Sequence, residues 1–257
     1  MTTTALIVQY LDDLLDTSSV PDFPNALNGL QFANGGSVHR IAAAVDFSLR
    51  TVVAAADAEA DLLIVHHGMF WGGLQPIRGT IFERLKVLVM RDIAVYASHL
   101  PLDRHPLYGN NALLAAELGI EPSGEFARFK TISIGVTGES DLPTADLAAR
   151  ADTFARKYGG SVRTTPLEPG RRTRTWAICT GNGAGTETLN EARARGIDTL
   201  IVGEGPHHSA VDADESGITV IYAGHYATET LGVRAVTAHI SDRFGVPWTF
   251  IQAPTGL

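Results

Sequence analysis

Two adjacent histidines at the end of an apolar run are the residues best suited to chemistry. His66 and His67 follow the aliphatic run 62–65, which is typical of a short buried strand. Open α/β sheets hold their binding sites at the carboxyl ends of such strands. Neighbouring side chains on a regular strand point to opposite faces, so we expect a break at Gly68 that lets both imidazoles reach one site.

Two later apolar strands also end in side chains that can bind metal. His99 and Asp103 follow one of these strands, and Pro101 between them favours an extended loop over a shared helical face. His225 and Glu229 follow the other strand and are four residues apart, so they share one face of a helix that begins there. The sequence therefore predicts the metal ligands His66, His67, Asp103, His225 and Glu229.

This ligand set predicts a reactive metal site. Imidazole and carboxylate suit Fe, Zn, Mn, Co or Ni, whereas the single cysteine excludes a multi-thiolate zinc site. Shared between two divalent ions, the five side chains leave coordination positions open to water. Asp103 or Glu229 would bridge the ions, and the water that the ions activate would perform a hydrolysis. His99, Glu204 and His208 are candidates for orienting ligands or moving protons.

A glycine-rich segment offers a candidate phosphate site. Gly181, Gly183 and Gly185 lie between a predicted strand and a predicted helix, where backbone amides can cradle an anion. The segment has no Lys-Ser/Thr ending and no full G-x-G-x-x-G pattern. A tight turn from strand to helix needs the same residues for steric reasons, so both interpretations stay open.

Composition favours a protein that acts on small molecules. Of the 257 residues, 45% are hydrophobic and 19% are charged, which allows one large domain or two small ones. The formal net charge of −8 disfavours general nucleic-acid binding. No stretch is apolar enough to span a bilayer and the first residues lack a basic signal segment, so we expect a cytoplasmic protein without membrane contact.

Strands alternate with helices in both halves of the chain, which is typical of an α/β fold. The polar segment 121–128 indicates a boundary between the halves, and strand 162–167 is predicted to pair with 174–179 in a hairpin. We predict two similar α/β domains in one subunit, with mixed sheets flanked by helices and the metal site in the cleft between the domains. The predicted domains are residues 1–127 with 226–257 and residues 128–225.

Six short motifs follow one another along the chain. They are Asn28-Gly29-Leu30-Gln31, Ala44-Val45-Asp46, His66-His67-Gly68, Leu102-Asp103 with Gly109-Asn110-Asn111, Gly203-Glu204 and Gly224-His225-Tyr226-Ala227-Thr228-Glu229. Together and in this order they resemble the NIF-three-like family, whose members are often called GTP cyclohydrolase type-two homologues. The resemblance implies a dinuclear metal centre and a ring-shaped homohexamer of two-domain α/β subunits. It places the family's ligands on His66, His67, Asp103, His225 and Glu229.

We therefore expect a metal-dependent hydrolase that acts on a small, nucleotide-like substrate through a metal-activated water. The resemblance implies ring-opening hydrolysis of GTP as the reaction. The same ligands would also serve a metal storage or delivery protein, and an oligomeric interaction scaffold could hold the metal incidentally. Metal exchange distinguishes the first two classes, because a carrier releases its metal readily while an enzyme retains it and turns a substrate over.

Overall fold

The computed structural model describes residues 2–257, which form two compact units. Unit 1 contains the described residues up to Leu102 together with Gly232–Ala253, and unit 2 contains Asp103–Leu231 and Pro254–Leu257. The longest helix, α9 (His225–Phe244), begins in unit 2 and continues into unit 1. The domain limits predicted from the sequence differ from these bounds and stay a prediction.

Unit 1 is built on a five-stranded sheet with the strand order β1-β4-β3-β2-β11. Its strands are β1 (Gly29–Phe32), β2 (Ile41–Asp46), β3 (Leu62–His67), β4 (Ala94–Ala97) and β11 (Trp248–Phe250). Strands β2, β3, β4 and β11 run parallel, and β1 pairs antiparallel with β4 at one edge. The carboxyl ends of β2, β3 and β4 therefore lie side by side at one end of the sheet.

The helices of unit 1, besides the end of α9, are α1 (Thr4–Leu15), α2 (Leu49–Asp57), α3 (Thr80–Arg91) and the short α4 (Leu100–Asp103). Of these, α2 connects β2 with β3, and α3 connects β3 with β4. Ser48 and Thr51 form a capping box that starts α2 after the end of β2. Val52 of α2 and Leu88 of α3 pack with Val65 of β3 in one buried core cluster. Burial of this core fixes where the strand ends lie.

Unit 2 is built on a six-stranded mixed sheet with the order β5-β6-β8-β9-β10-β7. Its strands are β5 (Gly124–Phe129), β6 (Ile132–Pro143), β7 (Arg163–Thr164), β8 (Arg172–Cys179), β9 (Thr199–Val202) and β10 (Thr219–Tyr222). Its helices besides the start of α9 are α5 (Asn110–Leu118), α6 (Thr144–Arg156), α7 (Thr186–Ala194) and α8 (His207–Glu215). Strands β8, β9 and β10 run parallel, so their carboxyl ends also lie side by side.

The α/β fold with two mixed sheets flanked by helices is confirmed, but the hairpin predicted in unit 2 is wrong. Strand β8 lies between β6 and β9, and β7 pairs antiparallel with β10, so the predicted hairpin of 162–167 with 174–179 does not form. Trp176 and its neighbours are fully buried and need a strand on each side, which the exposed two-residue β7 could not provide. The segment 121–128 overlaps β5, where Phe126 is fully buried, and its role as a domain boundary stays a prediction.

The loop predicted around Pro101 is also wrong. Leu100–Asp103 forms the single helical turn α4, in which Pro101 is the second residue. Proline is tolerated in the first turn of a helix because its missing N–H would have no partner in the helix there. No helix within residues 2–257 is both long and apolar enough to cross a membrane.

Candidate metal centre

Three imidazoles converge at the carboxyl ends of the parallel strands of unit 1. His66 and His67 are the last residues of β3, and His99 follows the end of β4. Their ligand nitrogens all lie within 4.8 Å of one another. His66 and His99 are buried, and 11% of the His67 side chain is exposed. The sequence predicted a supporting role for His99, whereas the structure places its ring in the imidazole cluster.

Oxygen atoms that accept hydrogen bonds from Nδ1 orient the two histidines of β3. His66 Nδ1 lies 2.9 Å from the carbonyl oxygen of Ser98, and His67 Nδ1 lies 2.9 Å from Asp46 Oδ1. A carbonyl oxygen can only accept, so Nδ1 of His66 carries the proton and the lone pair of its neutral ring is on Nε2. In proteins, the ring nitrogen of a metal-binding histidine that does not bind the metal donates its hydrogen to such an oxygen acceptor. The carboxylate of Asp46, which ends β2, holds His67 in the same way.

A buried carboxylate orients the third histidine. His99 Nδ1 lies 2.9 Å from Asp22 Oδ1, and Asp22 Oδ2 accepts from the amide of Leu100 and from Asn28 Nδ2. Asn28 Oδ1 in turn accepts from the amide of His99 at 2.7 Å. Burial acts to raise the pKa of Asp22, but the hydrogen bonds and the charge of His99 outweigh it and hold this pKa below its ordinary value. Asp22 therefore stays ionised and fixes both the ring and the backbone of His99.

The strand ends at His67 and Gly68 lies outside it, as expected, although both histidines still belong to β3. Their ring centroids nevertheless lie 4.8 Å apart with an interplanar angle of 49°. Gly68 is needed for space, because a Cβ there would collide with the side chain of Gln31. Gln31 Oε1 accepts from the amide of Met69 at 2.6 Å, so this close approach fixes the chain directly after the histidines.

In unit 2, His225 and Glu229 share one face at the start of α9, as the sequence predicted. His225 Nε2 lies 3.1 Å from Glu229 Oε2, and His225 Nδ1 lies 2.7 Å from Glu204 Oε1. Burial acts to lower the pKa of His225, but its hydrogen bonds and charge interactions with Glu229 and Glu204 raise it to about 9. Buried histidine and glutamate groups of this kind could hold a metal ion.

Two glycines of the predicted phosphate loop have steric roles. Gly181 has a φ of 64°, and a Cβ there would collide with Glu229 Oε1 and lie 3.3 Å from His225 Nε2. At Gly183 a Cβ would collide with the carbonyl oxygen of Cys179, whereas Gly185 has open space around it. Gly181 therefore lets the end of β8 approach the two ligands. Phosphate contact by Gly181, Gly183 and Gly185 stays a prediction.

Asp103 is buried in unit 2, where asparagines hold its side chain and backbone. Its Oδ1 accepts from Asn110 Nδ2 at 2.8 Å, and its carbonyl oxygen accepts from Asn111 Nδ2 at 3.2 Å. Asn111 Oδ1 accepts from the amide of Thr180, which follows β8. The asparagine pair thus ties Asp103 to the same strand end that carries Gly181.

The pKa of the Cys179 thiol depends on both Asp103 and Glu229, so these two carboxylates lie near the same part of unit 2. Burial first, and then the negative charges of Asp103 and Glu229, raise the pKa of its thiol to about 12. Cys179 is therefore a protonated, buried thiol at neutral pH. His208 lies exposed in the first turn of α8, where no contact with His225 or Glu229 is recorded among residues 2–257. Its predicted part in the site stays a prediction.

Sequence patterns identified Glu204 as a supporting residue, but they gave no supporting role to Asp46, Asp22 or Trp71. Asp46 could have been found, because it ends an apolar strand in the same way as His67. Asp22 and Trp71 could not, because they lie in irregular segments. The Trp71 ring contacts the imidazoles of His99 and His67, with centroid distances of 4.6 and 5.2 Å, and packs edge-on against Phe23 at 6.3 Å.

The donor set fits divalent metal ions. Three imidazoles in unit 1 and that of His225 in unit 2 lie at or after the carboxyl ends of parallel strands, and each has an oxygen partner at Nδ1. Nitrogen and oxygen donors of this kind suit Fe, Zn, Mn, Co or Ni. The identity and number of the ions, and the joining of the ligands of both units in one cleft, stay predictions.

Comparison with known proteins agrees with the predicted resemblance. The family model described as DUF34/NIF3 (NGG1p interacting factor 3) matches residues 2–255. A Deinococcus radiodurans protein named GTP cyclohydrolase 1 type 2 homolog is 41% identical over 253 residues, or 98% of this chain and 93% of the relative. A Pyrococcus horikoshii protein of the same name is 42% identical over 254 residues, or 98% of each chain. The solved structure of protein ybgI, of unknown function, covers 100% of both chains with a TM-score of 0.88 and 34% identity. This chain therefore belongs to the DUF34/NIF3 family.

Proposed function

We propose that this protein is a metal-dependent hydrolase that acts on a small, nucleotide-like substrate. The observation that carries the proposal is the orientation of the imidazoles. His67 and His225 each have a carboxylate at Nδ1, and His66 has a backbone carbonyl there. This arrangement directs Nε2 towards a cation and raises the basicity of the ligand.

The proposed ligands are those expected from the sequence. They are His66, His67, Asp103, His225 and Glu229, and together they would hold two divalent ions of Fe, Zn, Mn, Co or Ni. When bound, such ions lower the pKa of a coordinated water and polarise the bond that is hydrolysed. Asp103 and Glu229 supply the carboxylates, either of which could bridge the ions. Asp46 and Glu204 keep the imidazoles in place.

Residues near the ligands can move a proton. His99 belongs to the imidazole cluster and shares its Nδ1 proton with Asp22, which stays ionised. An imidazole held in this way can take up a proton at Nε2 and release one at Nδ1. Removal of a proton from the attacking water requires such a group within reach. His99 is therefore the proposed proton acceptor beside the ligands.

An exposed aromatic pair supports the proposal of a substrate that carries a planar ring. Trp71 and Phe23 are 40% and 49% exposed, although large aromatic side chains bury most of their surface in a typical core. With Asn25 they line a recess of about 180 Å³ next to His99. Aromatic walls of this kind stack planar heterocycles. The relatives named GTP cyclohydrolase homologues support a purine nucleotide as the first substrate to test.

The experiment compares metal-loaded protein with protein stripped by a chelator. Each is incubated with GTP and then with a panel of nucleotides, while formate and the ultraviolet spectrum of the purine are followed. We expect turnover by the loaded protein, loss of turnover in Glu229→Gln, and unchanged turnover in Asp57→Asn, an exposed control carboxylate on α2. Tight metal binding without turnover of any nucleotide would contradict the hydrolase, and rapid metal exchange would favour metal storage or delivery.

The homohexamer implied by the family resemblance is likewise a proposal. Sedimentation of the metal-loaded protein measures the assembly directly. A monomer at micromolar concentration would contradict the hexamer without affecting the proposed ligands.

A further inference from the structure

A cavity of about 400 Å³ lies in unit 2, and the function proposed above uses only Glu204 among its lining residues. Its wall includes Arg163, Glu204, Gly205, His207 and Tyr222. The volume falls in the range of pockets that bind small molecules, roughly 300–1,000 Å³. The cavity therefore has room for an organic molecule rather than a single ion.

One side of the cavity carries positive charge. Arg163 lies on β7 directly opposite Tyr222 of β10, and no ion pair or hydrogen bond of its guanidinium group is recorded among residues 2–257. His207 opens α8, a helix that begins at Pro206 without a side-chain cap. Arginine binds phosphate and carboxylate groups through paired N–H donors, and the first turn of a helix favours an anion. This side is suited to a phosphate group.

The other side of the cavity carries a carboxylate. Glu204 follows β9, and one of its oxygens accepts from His225 Nδ1. The Glu204 side chain is 36% exposed and lines the cavity, so it can also accept hydrogen bonds from a bound molecule. Carboxylates in nucleotide-binding proteins accept hydrogen bonds from sugar hydroxyl groups in this way. A ligand that fits both sides carries a phosphate at one end and hydroxyl groups at the other.

We propose that this cavity binds a phosphorylated sugar, either free or as the sugar-phosphate part of a mononucleotide. Its phosphate contacts Arg163 and His207, and its hydroxyl groups donate to Glu204. Tyr222 provides a flat surface against the sugar or an attached base. Glu204 also holds His225, so the bound sugar phosphate and the orientation of His225 are linked through one side chain.

The test measures binding to the complete, chelator-treated chain, because bound metal ions would themselves attract phosphate. Ribose 5-phosphate, AMP and inorganic phosphate are titrated by calorimetry into the wild type, Arg163→Gln and Arg128→Gln. Arg128 is an exposed strand arginine of the same unit outside the cavity, and so it is the matched control. A second variant, His207→Gln, tests the same contact if Arg163→Gln fails to fold.

We expect ribose 5-phosphate and AMP to bind the wild type more tightly than inorganic phosphate does. Affinity should fall about tenfold or more in Arg163→Gln and stay unchanged in Arg128→Gln. Tighter binding of AMP than of ribose 5-phosphate identifies a mononucleotide as the ligand. The proposal is overturned if neither ribose 5-phosphate nor AMP binds at millimolar concentration, or if inorganic phosphate binds as tightly as they do. It is also overturned if their affinity is unchanged in both Arg163→Gln and His207→Gln. Since the protein in this test is metal-free, none of these outcomes depends on whether the chain is a hydrolase.

Discussion

Single acceptor atoms set the direction of each imidazole. Asp46, Asp22 and Glu204 each hold one Nδ1, and the Ser98 carbonyl holds that of His66. A ring that is fixed through Nδ1 loses little further rotational freedom when Nε2 binds a metal. The supporting residues should therefore control metal affinity without touching the metal.

Replacement of Asp46 tests this role. Asp46→Asn keeps the size of the side chain but removes the charge that orients His67, so metal affinity should fall about 10–100-fold. Competition with a fluorescent chelator measures the affinity. Asp57→Asn, at an exposed position of α2, is the control and should bind metal as the wild type does. Equal affinity of Asp46→Asn and the wild type would show that Asp46 does not orient the ligand.

Protonation of His225 should make metal binding depend on pH. Glu229 and Glu204 raise the pKa of His225 from 6.5 to about 9 in the metal-free chain, despite the opposing effect of burial. A raised pKa means that the folded chain holds the proton more tightly, so this charge stabilises the metal-free protein fully below pH 6.5 and is lost as the pH rises through about 9. A metal ion that binds His225 must displace this proton from the imidazole.

Metal affinity should therefore increase from pH 7 to pH 9, by up to about tenfold per unit of pH from His225 alone. Chelator competition at several pH values measures this slope. In Glu204→Gln one of the two carboxylates is removed, so the pKa of His225 should fall and the slope near pH 8 should flatten. An affinity that is constant over this pH range in the wild type would contradict the assigned protonation.

At the scale of elements, the ends of parallel strands position the ligands. Strands β2, β3 and β4 end at Asp46, His67 and just before His99, and strands β8, β9 and β10 end just before Gly181, Glu204 and His225. The strand-to-helix turns must then pass very close to the ligands. Gly181 provides this clearance in unit 2, where any side chain would displace Glu229.

Substitution of Gly181 tests the need for clearance. Gly181→Ala places a Cβ against Glu229 at a φ of 64°, which strains the backbone and displaces a ligand. The free energy of unfolding should fall by about 1–3 kcal/mol, and metal affinity should fall with it. Gly185→Ala, in the same loop, has open space and an ordinary φ of −77°, so its effect should stay below about 1 kcal/mol. Urea unfolding measures the free energy of unfolding of both variants, and chelator competition measures their metal affinity. Equal stability and equal metal affinity of Gly181→Ala and Gly185→Ala would show that clearance at Gly181 is not needed.

The sequence predicted the elements that depend on local pattern. The apolar strand before His66 and the i,i+4 spacing of His225 and Glu229 are local signals, and the structure confirms them. Sheet order was not predictable in this way, because pairing of β7 with β10 depends on residues more than fifty positions apart. Asp22 was missed for the same reason, since its partner His99 is 77 residues away.

At the scale of the whole molecule, both units use the same arrangement of parallel strands with polar side chains at their carboxyl ends. This likeness agrees with the similar β-α-β pattern of the two halves of the sequence. In the proposed site, unit 1 supplies the imidazole nitrogens of His66 and His67, and unit 2 supplies the imidazole of His225 and the two carboxylates. No thiolate is among these donors, since Cys179 stays protonated. The central claim is that His66, His67, Asp103, His225 and Glu229 together bind divalent metal ions.

Anomalous diffraction from crystals grown with Zn²⁺, Mn²⁺ or Co²⁺ tests this claim most directly. Data collected on both sides of the metal absorption edge locate the ions independently of any assumed site. The account predicts two strong peaks per chain, at bonding distance from nitrogens of His66, His67 and His225 and from carboxylate oxygens of Asp103 and Glu229. Strong peaks elsewhere on the chain, with none at these five side chains, would contradict it.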